Sequence, residues 1–219
     1  MIMSSPLLKE IKKEFNEKIA DLKVNPTSYA DVNDYAIKIG EVLTEVFDGH
    51  LTEMHKEYIR EVLNDRLKAN HKLIVGKGKV AQANLNQQAN IGLAVQTPEL
   101  NQDRIDGIVG RLVREDFEEA KWLLDAPIVN FSQSVVDDMI KSNAELHYRA
   151  GLSPKIIRFE TGKCCKWCKS LAGIYQYPAV PKDVYRRHER CRCTVEFTPK
   201  KGVKQDVHSK KFKYSLDKY

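Results

Sequence analysis

Cys164-Cys165-Lys166-Trp167-Cys168, followed after a spacer by Arg186-Arg187-His188-Glu189-Arg190-Cys191-Arg192-Cys193, is the stretch that decides how this chain is put together. Two thiols separated by two residues can face one ion when the backbone turns tightly around it, and a second group of donors about twenty residues later can close a tetrahedron. Cys165, Cys168, His188, Cys191 and Cys193 are five donors for four places. His188 and Cys191 suit a knuckle-like turn, whereas Cys191 and Cys193 would share one face of a strand. Cys165, Cys168, His188 and Cys191 rank first as ligands, with Cys193 the substitute and Cys164 a spectator. The expected cofactor is structural Zn2+. A catalytic zinc needs a vacant position and a nearby general base. Glu189 beside His188 offers only the outline of one, and no His-x-Glu with a later Pro-Cys-x-x-Cys is present, so no catalytic residue is assigned.

Positive charge surrounds these donors. Arg186, Arg187, Arg190 and Arg192 are interleaved with the return half, and Lys163, Lys166 and Lys169 flank the first pair. Such a cluster is either a phosphate-backbone surface, which makes the four arginines candidate nucleic-acid contacts, or compensation for the net negative charge of a zinc held by three thiolates and an imidazole. The residues alone leave both open. Trp167, Tyr175, Tyr177 and Tyr185 are read as packing for a small core rather than base-stacking platforms.

Working outward, the text on both sides of the cysteines is strand-like. Lys155-Ile156-Ile157-Arg158-Phe159-Glu160 is short and β-branched after Ser153-Pro154, and Cys193-Thr194-Val195-Glu196-Phe197 alternates before Pro199. Upstream the period changes to that of amphipathic helices. Ser5-Pro6 opens one carrying Leu8, Ile11, Phe15, Ile19 and Leu22, ended by Asn25-Pro26. A second starts near Ser28 or Asp31, with Val32, Tyr35, Ile39, Val42, Leu43 and Val46 on one stripe, and closes at Asp48-Gly49. Met54, Tyr58, Ile59, Val62 and Leu67 mark a third. Residues 71–100, with Gly76, Gly78, Gly92 and Pro98 among Asn and Gln, leave room for some helix but read more as a mobile or partner-bound passage than a packed one. Helical pattern returns around Ile105 to Leu124 and from Phe131 to Tyr148, divided at Ala126-Pro127 and ended by Gly151. The fold class expected is α+β: a helical body over 1–150, a zinc-stabilised β-containing module over 151–199 and a basic tail over 200–219.

Composition fits a globular chain of 219 residues with 42% apolar and 30% charged residues. No apolar run approaches membrane-spanning length, and Met1 to Leu8 lacks the layout of a signal peptide, so a cytosolic setting without a membrane partner is expected. That setting keeps thiols reduced and favours ligands over disulfides. The net charge of +6 divides unevenly: Ser153 to Tyr219 carries 17 Lys and Arg against 6 Asp and Glu, leaving the remainder acidic.

Cys165-x-x-Cys168, Leu171-x-Gly173, a proline-containing spacer and His188-x-x-Cys191-Arg192-Cys193 resemble the carboxy-terminal module of the Mu protein F-like family, the minor head or head-morphogenesis proteins of tailed bacteriophages. The stretch from Asn101-Gln102-Asp103-Arg104-Ile105-Asp106 to Val184-Tyr185 and onward to Val195 is similar to minor capsid proteins of siphophages that infect Gram-positive bacteria. The resemblance implies a virion component, assembled in the host cytoplasm, that meets the portal or major capsid protein and in some members binds DNA. The family's Arg-Thr-Glu before the module is not evident; Phe131-Ser132-Gln133-Ser134 stands there. A nuclease-like effector using His188 and Glu189 and a DNA-binding module outside the virion are the competing readings.

Overall fold

The computed structural model describes residues 6–50, 56–161 and 164–199. Ser5, Met54, Lys163 and the basic tail, all part of the reading above, lie outside the described residues. The chain is mainly helical and ends in a small antiparallel sheet. Helices α1 (Pro6–Ile19), α2 (Tyr29–His50), α3 (Lys56–Gln88), α4 (Gln102–Arg114), α5 (Phe117–Ala120) and α6 (Ala126–Arg149) precede β1 (Lys155–Phe159), α7 (Lys166–Ser170), β2 (Gly173–Gln176) and β3 (Thr194–Thr198). Among the described residues no helix is long and apolar enough to cross a membrane.

Local chemistry sets the helix ends. The Ser28 hydroxyl accepts from the Asp31 N–H at 3.2 Å while the Asp31 carboxylate accepts from the Ser28 N–H at 3.0 Å, a reciprocal cap that starts α2. Pro127 sits in the first turn of α6, where a missing N–H costs nothing, instead of dividing two helices. At the far end of α6, Gly151 takes φ of 80°, and the Leu152 N–H turns back to the His147 carbonyl at 3.0 Å.

The largest departure from the sequence reading is α3. It runs without interruption through Gly76 and Gly78 to Gln88, so the passage read as mobile or partner-bound is for the most part a packed helix. Two of the polar residues that disguised it, Gln82 and Asn86, face inward and are satisfied there. Tyr29 donates to the Gln82 side-chain oxygen at 2.8 Å, Gln82 donates to Asn86 at 2.8 Å, and Asn86 donates to the Leu93 carbonyl at 3.0 Å. Residues 91–100 then run past α6 without regular secondary structure, pinned where Asn143 both accepts from the Gln96 N–H and donates to its carbonyl, each at 2.9 Å.

The sheet has order β2-β1-β3, all antiparallel. β2 is the strand that the sequence reading missed. Register places Ile156 between Tyr175 and Phe197, and Arg158 between Gly173 and Val195. Ile156, Val195 and Phe197 join the same apolar cluster as Ile39, Leu43, Phe131 and Ile140, so the sheet's inner face rests on α2 and α6. This docking leaves the cysteine-bearing turns at one end of the sheet, against the first half of α6.

Candidate metal centre

α7 is capped by Cys165, whose sulfur accepts from the Cys168 N–H at 3.4 Å. One turn later Cys168 points inward and is fully buried. The return half brings Cys191 and Cys193 beside it, both buried as well. His188 lies between the halves, with Nε2 at 3.0 Å from Cys168 Sγ and 3.5 Å from Cys165 Sγ. Its Nδ1 donates to the Glu189 carbonyl at 2.6 Å, which fixes the tautomer and leaves the Nε2 lone pair facing the sulfurs.

All five sequence-derived donors are therefore brought together, in two sets that share Cys168. Cys165, Cys168 and His188 form one set; Cys168, Cys191 and Cys193 form the other. Spacing fits a metal. Two sulfurs bound to one tetrahedral zinc at about 2.3 Å stand about 3.8 Å apart, and a sulfur and an imidazole nitrogen about 3.6 Å. Cys168 Sγ and Cys191 Sγ are 3.8 Å apart and Cys165 Sγ and His188 Nε2 3.5 Å, at those spacings, whereas His188 Nε2 stands closer to Cys168 Sγ, at 3.0 Å. Cys168, Cys191, Cys193 and His188 thus form a cluster that could hold a metal ion. Cys193 is more deeply placed than its rank as substitute implied, and Cys165 is the exposed member. Cys164 turns aside and donates to the Glu160 carboxylate at 3.0 Å, a contact that pushes its thiol up to about 11.

The electrostatics of the thiols differ. Burial, together with the neighbouring Cys193 and Cys191, pushes the Cys168 thiol far above its ordinary value, so without a cation it is neutral. The Cys168 N–H lowers the exposed Cys165 thiol.

Arg158, which the sequence reading took for a strand residue, completes the centre. It is 1% exposed, and its Nη2 lies 3.7 Å from both Cys168 Sγ and Cys191 Sγ. Nη1 donates to the carbonyls of Val184 and Arg186, the guanidinium lies 5.6 Å from the Trp167 ring centroid, and Nε has no partner. Among the described residues no carboxylate lies within ion-pair distance of it.

The four arginines taken as nucleic-acid contacts all have carboxylate partners. Arg186 pairs with Asp183 at 3.1 Å, Arg190 with Asp125 at 3.2 Å, and Arg192 with Glu41. Those three are largely exposed. Arg187 is different: it is 3% exposed and bound to Asp137 at 2.7 Å, so it has no surface to offer a phosphate, and its assignment as a nucleic-acid contact is corrected here. Burial, the largest influence, opposes its charge, but Asp137 together with Cys191 and Cys193 raises its pKa overall.

A polar stripe on α6 grips the return loop. Asn130 donates to the His188 carbonyl at 3.2 Å, Gln133 to the Cys191 carbonyl at 3.0 Å, and Asp137 holds Arg187, which itself donates to the Cys193 carbonyl. Residues 130, 133 and 137 follow helical spacing on a face that is otherwise apolar. That spacing was the available signal for them. Compared with protein-family models, with curated proteins and with solved structures, the chain shows no match.

Proposed function

We propose that this cluster binds one structural zinc ion and that the chain is a minor head protein of a tailed bacteriophage, an assembly component without catalytic activity. Arg158 is the observation that carries the metal half. A buried guanidinium facing two sulfurs, with no carboxylate of the described residues within ion-pair distance, needs anions, and burial keeps the Cys168 thiol neutral unless a cation is bound. A zinc held by three thiolates and one imidazole carries net −1, which the single positive charge of Arg158 balances. Cys168, Cys191 and His188 would hold the ion together with Cys193 or Cys165, and the ion would close the α7 turn onto the return loop.

The head-protein half is supported by the resemblance of the Cys165-x-x-Cys168 and His188-x-x-Cys191-Arg192-Cys193 pattern, which occupies this cluster. In this reading the helical body docks on the portal or major capsid protein during assembly in the host cytoplasm. Any DNA contact falls to Arg186, Arg190 and Arg192, whose exposed ion pairs exchange readily for phosphate. Elemental analysis of the purified chain tests the first half, with one zinc per chain expected. Mass spectrometry of purified particles tests the second: a chain made in infected cells but missing from the particles ends the head-protein reading.

A further inference from the structure

A groove of about 740 Å³ lies between α2 and the segment that includes α5. Phe117, Leu124 and Trp122 line it, and Trp122 is half exposed, an unusual position for the largest apolar side chain on a surface. Glu45, Asp48 and Glu118 stand around these rings. Some neighbouring carboxylates are already engaged, Glu41 by Arg192, Asp125 by Arg190, Glu45 by Lys18 and Glu118 by Lys121. These are exposed pairs that contribute little and exchange easily, so aromatic burial would drive docking here and charge would select the occupant.

The chain itself has a segment of matching chemistry. Residues 200–219 hold seven lysines against two aspartates, and within them Lys210-Lys211-Phe212-Lys213-Tyr214 alternates cations with aromatic rings. Distance permits the match. Thr198 is six residues beyond Arg192, which touches the groove at Glu41, and at strand rise that is about 20 Å. The eleven residue steps from Pro199 to Lys210 reach up to about 36 Å.

We propose that residues 210–214 of the same chain seat in this groove, with Phe212 and Tyr214 against Trp122, Phe117 and Leu124, and the lysines against Glu45, Asp48 and Glu118. The contact is independent of the metal and of the virion role. Zero-length carbodiimide cross-linking of the full chain, mapped by mass spectrometry, tests it. Amide links from Lys210, Lys211 or Lys213 to Glu45, Asp48 or Glu118 are expected within one chain, falling about fivefold or more in the Phe212→Ala/Tyr214→Ala variant. Absence of such links, or links indifferent to the two aromatic changes, overturns the proposal. In an equal mixture of light and isotopically heavy chain, links that join light to heavy copies make a second molecule the occupant and overturn it too.

Discussion

Asp137, in the middle of α6, holds Arg187 of the cysteine-bearing loop by both carboxylate oxygens, at 2.8 and 2.7 Å, with both side chains almost wholly buried. Removing one partner leaves the other as an uncompensated buried charge, which costs about 3–5 kcal/mol. Asp137→Ala is therefore expected to lose that much in urea unfolding. The double variant Asp137→Leu/Arg187→Met removes both charges together and is expected to recover most of the loss. A single-variant cost below about 1 kcal/mol would put the pair in the class of exposed ion pairs.

Metal binding should follow the sharing of Cys168 between the two donor sets. Cys168→Ala is expected to abolish stoichiometric zinc after dialysis, whereas Cys165→Ala and Cys193→Ala each leave a donor able to take the vacated place. Arg158→Met keeps every ligand but removes the charge that faces the sulfurs. Loss of a partner just outside the ligand shell lowers metal affinity about 10–100-fold. Competition against a chromophoric chelator reads that ratio directly, and unchanged affinity would remove Arg158 from the centre.

The donors were legible because their spacing is local: Cys165 to Cys168 is one helical turn, and His188 to Cys193 is one loop. What surrounds them was not, because it is assembled across the fold. Arg158 reads as an ordinary strand residue until β1 is placed between β2 and β3, and only that register turns its side chain toward the sulfurs. β2 is four residues with an exposed Ile174, too short for alternation to identify. The continuity of α3 was hidden for a related reason. Gln82 and Asn86 are one helical turn apart, but a polar pair in sequence does not say whether its partners are water or Tyr29 and the Leu93 carbonyl. The helical stripes of α1, α2 and α6, made of aliphatic residues, carry no such ambiguity and were read correctly in kind.

His147 sets an acid limit. It is wholly buried against the Phe197 ring, 4.9 Å between centroids, and neither ring nitrogen has a hydrogen-bond partner. Burial depresses its pKa to about 4 from 6.5. Between those values the unfolded chain binds a proton that the folded chain does not, so this contribution is fully present above about pH 6.5 and is lost as the pH falls toward 4. The shift corresponds to about 3 kcal/mol. Glu196, raised by burial, titrates in the opposite sense, so the informative quantity is the difference between wild type and His147→Phe. That difference in urea stability is expected to change steadily from pH 6.5 to 4.5, and a flat difference would show that His147 charges inside the fold.

Glycines 40 and 76 make opposite predictions from one measurement. A Cβ on Gly40 would lie 2.9 Å from Val129 Cα, a backbone atom that cannot move without shifting α6 against α2. Gly40→Ala is therefore an overpacking change, expected to cost about 1–3 kcal/mol. Because the α2–α6 contact sits beneath the cysteine-bearing loop through Asn130 and Gln133, it should also weaken metal retention in chelator. Gly76 is in the middle of α3 with nothing within 4 Å of its would-be Cβ. Alanine there only lowers the backbone entropy lost on folding and should stabilise by about 0.5–1 kcal/mol. Thermal unfolding of the two variants side by side decides the matter. If Gly76→Ala destabilised the chain, α3 could not be the continuous helix that carries the polar side of the core.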